Sequence, residues 1–282
     1  MRAVLVISTL LVLAVVCVPP VAAEEAAAPK PHTDQQLKEH EVFDRFEEKF
    51  KSDDMDDRIQ ILRWFGMWRH KKVTRELKKI WLKDKDFEHR AVAAEGLGHQ
   101  TPYAKKAGKY LIDGLDKMTK MASREDPEGD ELLEQTLEAR AIVAGIKAVA
   151  ALGYKDGWDT LKVYIDHYDD GVAAEMMLTC GHLKEYRALP ILLEWFNFYP
   201  DGYSWAGGSV KVDTGAAGNA DAKAAKAKWK AKYGNRKKKA RPGAWDALIQ
   251  SLEMITGVKF QKPDELKAWM KENKVLLRKH GV

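Results

Sequence analysis

Ten lysines and arginines crowd residues 221–241 against one aspartate, and Trp229 and Tyr233 interrupt them. Cations interleaved with aromatic rings suit a polyanion, because the charges follow its backbone while the rings stack on what it carries. Lys228, Trp229, Lys237 and Lys239 are the residues of this run best suited to a partner. Two other uses compete with that one. The run can be a solvated loop, or it can fold over the acidic stretches at 125–138 and 166–170. A clasp of that kind is weak and salt-sensitive, since exposed ion pairs contribute about 0–1 kcal/mol each.

A second group is aromatic. Trp195, Phe196, Phe198, Tyr199, Tyr203 and Trp205 fall close together, with Tyr164 and Tyr168 upstream. Rings at this density fit an aromatic-lined concave site for a protein or glycan, with Tyr164, Trp195 and Tyr199 as its anchors. They fit packing of a loop base on the core equally well. A third group, Asp166-His167-Tyr168-Asp169-Asp170, has the carboxylates and imidazole of a hard or borderline metal site. Its spacing lacks the turning glycine and distant glutamate of a calcium loop, so a turn with a helix-capping aspartate is the better reading. His99 and His182 follow glycines in equivalent turns, too far apart for a shared ligand. There is no nucleophile elbow, zinc-protease helix, phosphate loop or dinucleotide fingerprint. The expectation is a non-enzyme with no cofactor and no metal.

The elements that would position these residues follow a repeating helix–Gly–helix unit. Apolar-periodic stretches ending at Gly66, Gly98, Gly153 and Gly181 are each followed by a second one, at 73–81, 104–115, 158–164 and 188–196. Small residues let the first helices approach closely, and each glycine is expected to take the left-handed conformation that ends a helix. A helix up to about Lys51, with Leu37, Val42, Phe43, Phe46 and Phe50 as its stripe, covers the first unit. A fifth unit spans 244–282, with Trp245, Leu248, Ile249, Leu252 and Ile255 in its first helix and Leu266, Trp269, Met270 and Leu276 in its second.

The segments AVAAEGLG, AIVAGIKAVAALG and GVAAEMMLTCG, with second helices such as KDGWDTLKVYI and KEYRALPILLEWF, resemble HEAT-repeat proteins, including the HEAT-like family first noted in phycobilisome lyases. The closing MITGVKFQKPDELKAWMKENK is similar to the end of exported bacterial members. The resemblance implies an all-α, right-handed α-solenoid of about five HEAT-like helix pairs, with an N-terminal cap helix and a long basic loop. It also implies that second helices line the concave face. Two insertions break the period, one at 119–138 and one at 202–243, and both join one repeat to the next.

The chain ends add a compartment. Met1-Arg2, an apolar run to Val18 and small residues before Glu24 have the layout of a signal peptide over 1–23, with an uncleaved anchor as the alternative. Val16 stands where a lipoprotein signal at Cys17 needs a small residue. Cleavage would leave Cys180 alone, so no internal disulfide forms and stability rests on core burial. The net charge of +5 is concentrated in 221–241, and the rest of the mature chain is slightly acidic. The domains expected are a leader and cap at 24–52, repeats at 53–199, the basic loop at 200–243 and a closing pair at 244–282. The function expected is a periplasmic or cell-envelope binding scaffold for a protein or an anionic envelope component, with nucleic acid disfavoured by export. The other reading is an enzyme or enzyme accessory of the HEAT-like lyase type acting on a bound cofactor.

Overall fold

A computed structural model describes residues 39–119, 130–167, 169–197 and 242–282. These residues are mostly helical, with no strand among them, and the protein is all-α. The helices are α1 (Glu39–Lys49), α2 (Met55–Gly66), α3 (Lys71–Lys83), α4 (Phe87–Gly98), α5 (Ala104–Thr119) and α6 (Asp130–Ala151). They continue with α7 (Trp158–Leu161), α8 (Asp170–His182), α9 (Leu189–Phe196), α10 (Pro242–Thr256), α11 (Pro263–Glu272) and α12 (Lys274–Lys279). Short 3-10 turns precede α5 and α9, and one of five residues (Lys162–Asp166) extends α7.

Aspartates start the first helix of three pairs. Asp54, Asp86 and Asp169 each accept backbone N–H groups of the following turn, and α2, α4 and α8 carry acids in that turn, where the helix dipole favours them. These first helices pack in series, α2 on α4, α4 on α6, α6 on α8 and α8 on α10. The second elements pack in a parallel series, α3 on α5 and α5 on α7, with α9 against α11. Phe46 of α1 stacks on Phe65 at 4.0 Å between ring centroids, and Phe43 meets the same ring edge-on at 5.2 Å, so α1 covers α2.

Glycines make the first-helix series possible. A Cβ on Gly66 would stand 2.8 Å from the Gly96 Cα, and one on Gly98 would stand 3.0 Å from the Ala148 Cβ. At Gly181 it would meet the Ser251 Cα at 3.2 Å and the Met254 side chain closer still. This corrects the expected role of the repeat glycines. Gly66, Gly98 and Gly181 are ordinary helical residues kept small by a neighbouring backbone. Gly153 and Gly257 do end their helices with positive φ, at 62° and 75°. After α8 the left-handed position falls to Lys184 (φ 47°), three residues past the glycine; the Glu185 N–H closes that turn on the Cys180 carbonyl at 2.9 Å.

A second correction concerns the insertion at 119–138. Its latter part is helical, because α6 begins at Asp130 and runs for 22 residues. Gln135 and Glu138 are buried and Leu137 packs on the core, so this acid-rich stretch is the first turns of a core helix. Residues 120–129 lie outside the described residues, as do the proposed signal peptide, the leader and the basic loop. Among the described residues, no helix is long and apolar enough to cross a membrane.

Candidate functional site

The three expected aromatic anchors separate on inspection. Tyr164 is 1% exposed, within the 3-10 turn after α7, and its hydroxyl donates to the Leu115 carbonyl at 2.6 Å. Burial pushes its pKa well above the usual phenol value. Trp195 is 7% exposed on α9; its indole N–H donates to Asp166 Oδ1 at 2.8 Å, and its ring meets Trp245 edge-on at 6.2 Å. Both are therefore core residues and not partner-facing anchors. Their polar tips reach carbonyl or carboxylate oxygens of the neighbouring element, which is how buried tyrosine and tryptophan are usually satisfied. Tyr199, Lys228, Trp229, Lys237 and Lys239 lie outside the described residues, with Tyr168, Phe198, Tyr203 and Trp205.

The 166–170 cluster is built as a turn. Asp169 accepts from the Val172 N–H at 2.9 Å, and His167 Nδ1 accepts from the Asp169 N–H at 3.1 Å. His99 and His182 are exposed at their helix ends, while His70 caps α3 by accepting from the Lys72 N–H at 3.3 Å. Cys180 is fully buried, and burial raises its thiol pKa, so the thiolate needed for reactivity is suppressed. Among the described residues, no three His, Cys, Asp or Glu side chains converge on a point that would hold a metal.

Two features escaped the sequence reading. The first is a set of polar side chains on α4 and around it. The Arg90 Nε–H donates to the Trp81 carbonyl at 3.0 Å, and its guanidinium lies 5.2 Å from the Phe87 ring centroid and 5.7 Å from that of Trp81. Burial lowers its pKa, opposed by the charges of Glu138 and Asp84. His89 Nδ1 is 3.4 Å from Asp84 Oδ2. Nearby, fully buried Gln100 donates to the carbonyls of Gly66, Trp68 and Gly96 at 3.0–3.2 Å and accepts from the Thr74 hydroxyl at 3.2 Å. One amide thus ties the ends of α2 and α4 together. Nothing in the residue spacing around Gln100 announces this.

The second feature is an open groove of about 480 Å³ across α2, α4 and α6, ending at the start of α8. Ile59, Ala91, Val92, Val143 and Ala144 give it an apolar floor. Its rim alternates in sign, with Arg63, Arg140 and Lys147 against Glu88 and Glu95. Arg140 approaches Glu88 at 4.0 Å, and Lys147 reaches Glu175 on α8 at 3.6 Å. The groove runs along the first helices, whereas the family resemblance directed attention to the second. Seven-residue spacings, Glu88 to Glu95 and Arg140 to Lys147, were the available signal. The volume lies within the ordinary range of ligand pockets, but the groove is open and lacks the enclosure that buries most of a small ligand.

No protein-family model matches the sequence, and no curated protein matches it. The functional argument therefore rests on the geometry and on the residues themselves.

Proposed function

We propose that this chain is a right-handed solenoid of about five HEAT-like helix pairs that serves as a non-enzymatic binding scaffold of the periplasm or cell envelope. The observation that carries the reading is the unbroken first-helix series α2, α4, α6, α8 and α10, each packed on the next, with second elements beside it that pack α3 on α5, α5 on α7 and α9 on α11. A stack of this sort exposes long faces in place of an enclosed cavity, and such faces suit extended partners. The open groove over α2, α4 and α6, with its apolar floor and alternating rim, is suited to a segment of a protein partner. The run at 221–241 adds a cationic arm for an anionic envelope component. Export rests on the N-terminal sequence layout.

The enzyme or lyase-like reading depends on converging ionisable groups, and Asp84, His89, Arg90 and Glu138 are the nearest such set. Arg90 is engaged with the Trp81 carbonyl and two rings, and the nearby Tyr164 with the Leu115 carbonyl, so these contacts serve packing. The test is capture from an envelope extract at low and high salt, with the full chain and a version lacking 221–241. The scaffold reading expects a retained component in both salts, and the deletion is expected to remove the salt-sensitive part. Retention of nothing, or copurification of a chromophore or metal, would contradict it.

A further inference from the structure

The exposed surface of α3 is basic along its length. Lys71, Arg75, Lys79 and Lys83 stand four residues apart and are all exposed, giving the helix, with Lys72 and Lys78, six cations against the single acid Glu76. Beside it, the first half of α5 adds exposed Lys105, Lys106 and Lys109. Lys78 sits 4.4 Å over the Tyr110 ring and joins the two helices.

This arrangement works against the helix that carries it. Like charges four residues apart repel on a helix surface, and α3 has three such pairs in succession. Lysines occupy its first turn, where they oppose the helix dipole; α2, α4 and α8 place acids there and α3 has none. Glu76 pairs with Lys79, at 2.7 Å. No carboxylate of the described residues lies within ion-pair distance of Arg75, Lys83, Lys106 or Lys109. A surface chosen for stability alone would mix the signs.

The chemistry of the face narrows its partner. Lysine dominates, and an ammonium is a point charge without the planar fork that reads individual phosphates. Lys78 covers one face of the Tyr110 ring, which leaves less of it for a base or sugar to stack on. Among the described residues, the exposed large apolar side chains, Leu133, Val163, Val258 and Val275, are on other elements, so the face is built to adsorb and not to insert. Cations spread over two adjacent helices match an anionic sheet better than a single thread. We propose that the α3/α5 face is an electrostatic docking surface for the anionic headgroups of a lipid bilayer. This rests on the scaffold reading and specifies one of its partners.

The test is cosedimentation of the full chain with vesicles of equal parts phosphatidylglycerol and phosphatidylcholine, and with phosphatidylcholine alone to control for the apolar N-terminal run. Inorganic polyphosphate is the competing probe. Arg75→Glu/Lys106→Glu/Lys109→Glu is compared with the same three positions changed to Gln, and with Lys228→Gln/Lys237→Gln/Lys239→Gln, each checked by thermal melting. The expected result is salt-sensitive binding to the anionic vesicles, at least tenfold weaker in the Glu variant, intermediate in the Gln variant and largely retained in the basic-run variant. Unchanged binding by the Glu variant, or binding to polyphosphate without binding to vesicles, overturns the proposal. A loss confined to the basic-run variant overturns this docking surface and leaves the scaffold reading intact. Failure to retain vesicles, polyphosphate or any extract component contradicts both.

Discussion

The two helix series of this molecule are held together by opposite devices. Along the first helices, contact is made by removing side chains: Gly66 faces Gly96, Gly98 faces Ala148, and Gly181 faces the backbone at Ser251. Along the second elements, contact is made by large rings with polar tips. The Trp81 indole N–H donates to the Tyr110 carbonyl at 3.0 Å, Tyr164 donates to the Leu115 carbonyl, and Trp195 donates to Asp166. Trp81 unites the two devices, since it lies between Gly114 of α5 and Gly145 of α6, where a Cβ would run into its indole. Close packing of small residues brings backbones together over a broad contact. Aromatic ties concentrate the energy in a few side chains and fix the register by hydrogen bonds.

That contrast is broken most severely at Trp81. Trp81→Ala is expected to cost about 3–5 kcal/mol, because it empties a fully buried site and removes a hydrogen bond; denaturant titration reads this as a lower midpoint. In the glycine series, Gly66→Ala should cost about 1–3 kcal/mol, because the atom in its way is the Gly96 backbone and cannot rotate aside. The same substitution at a glycine with open space and ordinary φ would be harmless, so the cost measures the helix approach itself. Tyr164→Phe keeps the ring and removes the tie, leaving the Leu115 carbonyl short of a donor at about 1–2 kcal/mol. Asp86→Ala removes only a cap and should cost about 1 kcal/mol by the same titration.

The smallest effect is a pH dependence. Burial raises the pKa values of Cys180 and Tyr164 in the folded state. Both groups therefore hold their protons when the unfolded chain has lost them, and stability must fall as pH rises. The loss should begin above about 8.5 for the thiol and above about 10 for the phenol. Melting curves between neutral and alkaline pH should show a shallower decline in Cys180→Ala than in the unaltered chain.

Much of this organisation was legible from residue spacing. The pairs at 55–83, 87–119 and 170–196 follow from apolar periodicity broken at small residues, which marks helices whatever their neighbours are. The start of α6 was hidden because 130–138 continues the acidic run from Glu125, and composition argued for an insertion. Acids early in a helix are favoured by its dipole, so the same residues were compatible with a first turn. Tyr164 and Trp195 were misplaced for a different reason. An aromatic ring with one polar atom suits an interface and a core equally, and only the position of its hydrogen-bond acceptor separates the two. The basic face of α3 and α5 was concealed by summation, since the acids of α1, α4, α6 and α8 offset it in the total outside 221–241.

The most direct test of the seated-ring account is a double-mutant cycle between Gly114 and Trp81. A Cβ on Gly114 would meet the Trp81 indole nitrogen at 2.0 Å. Gly114→Ala should therefore be destabilising in the unaltered chain and nearly without cost in a Trp81→Leu background, where the space has opened, giving a large coupling between the two changes. Additive effects of the two substitutions would contradict the account, because they would mean that the ring of one helix does not occupy the place kept by the glycine of the next.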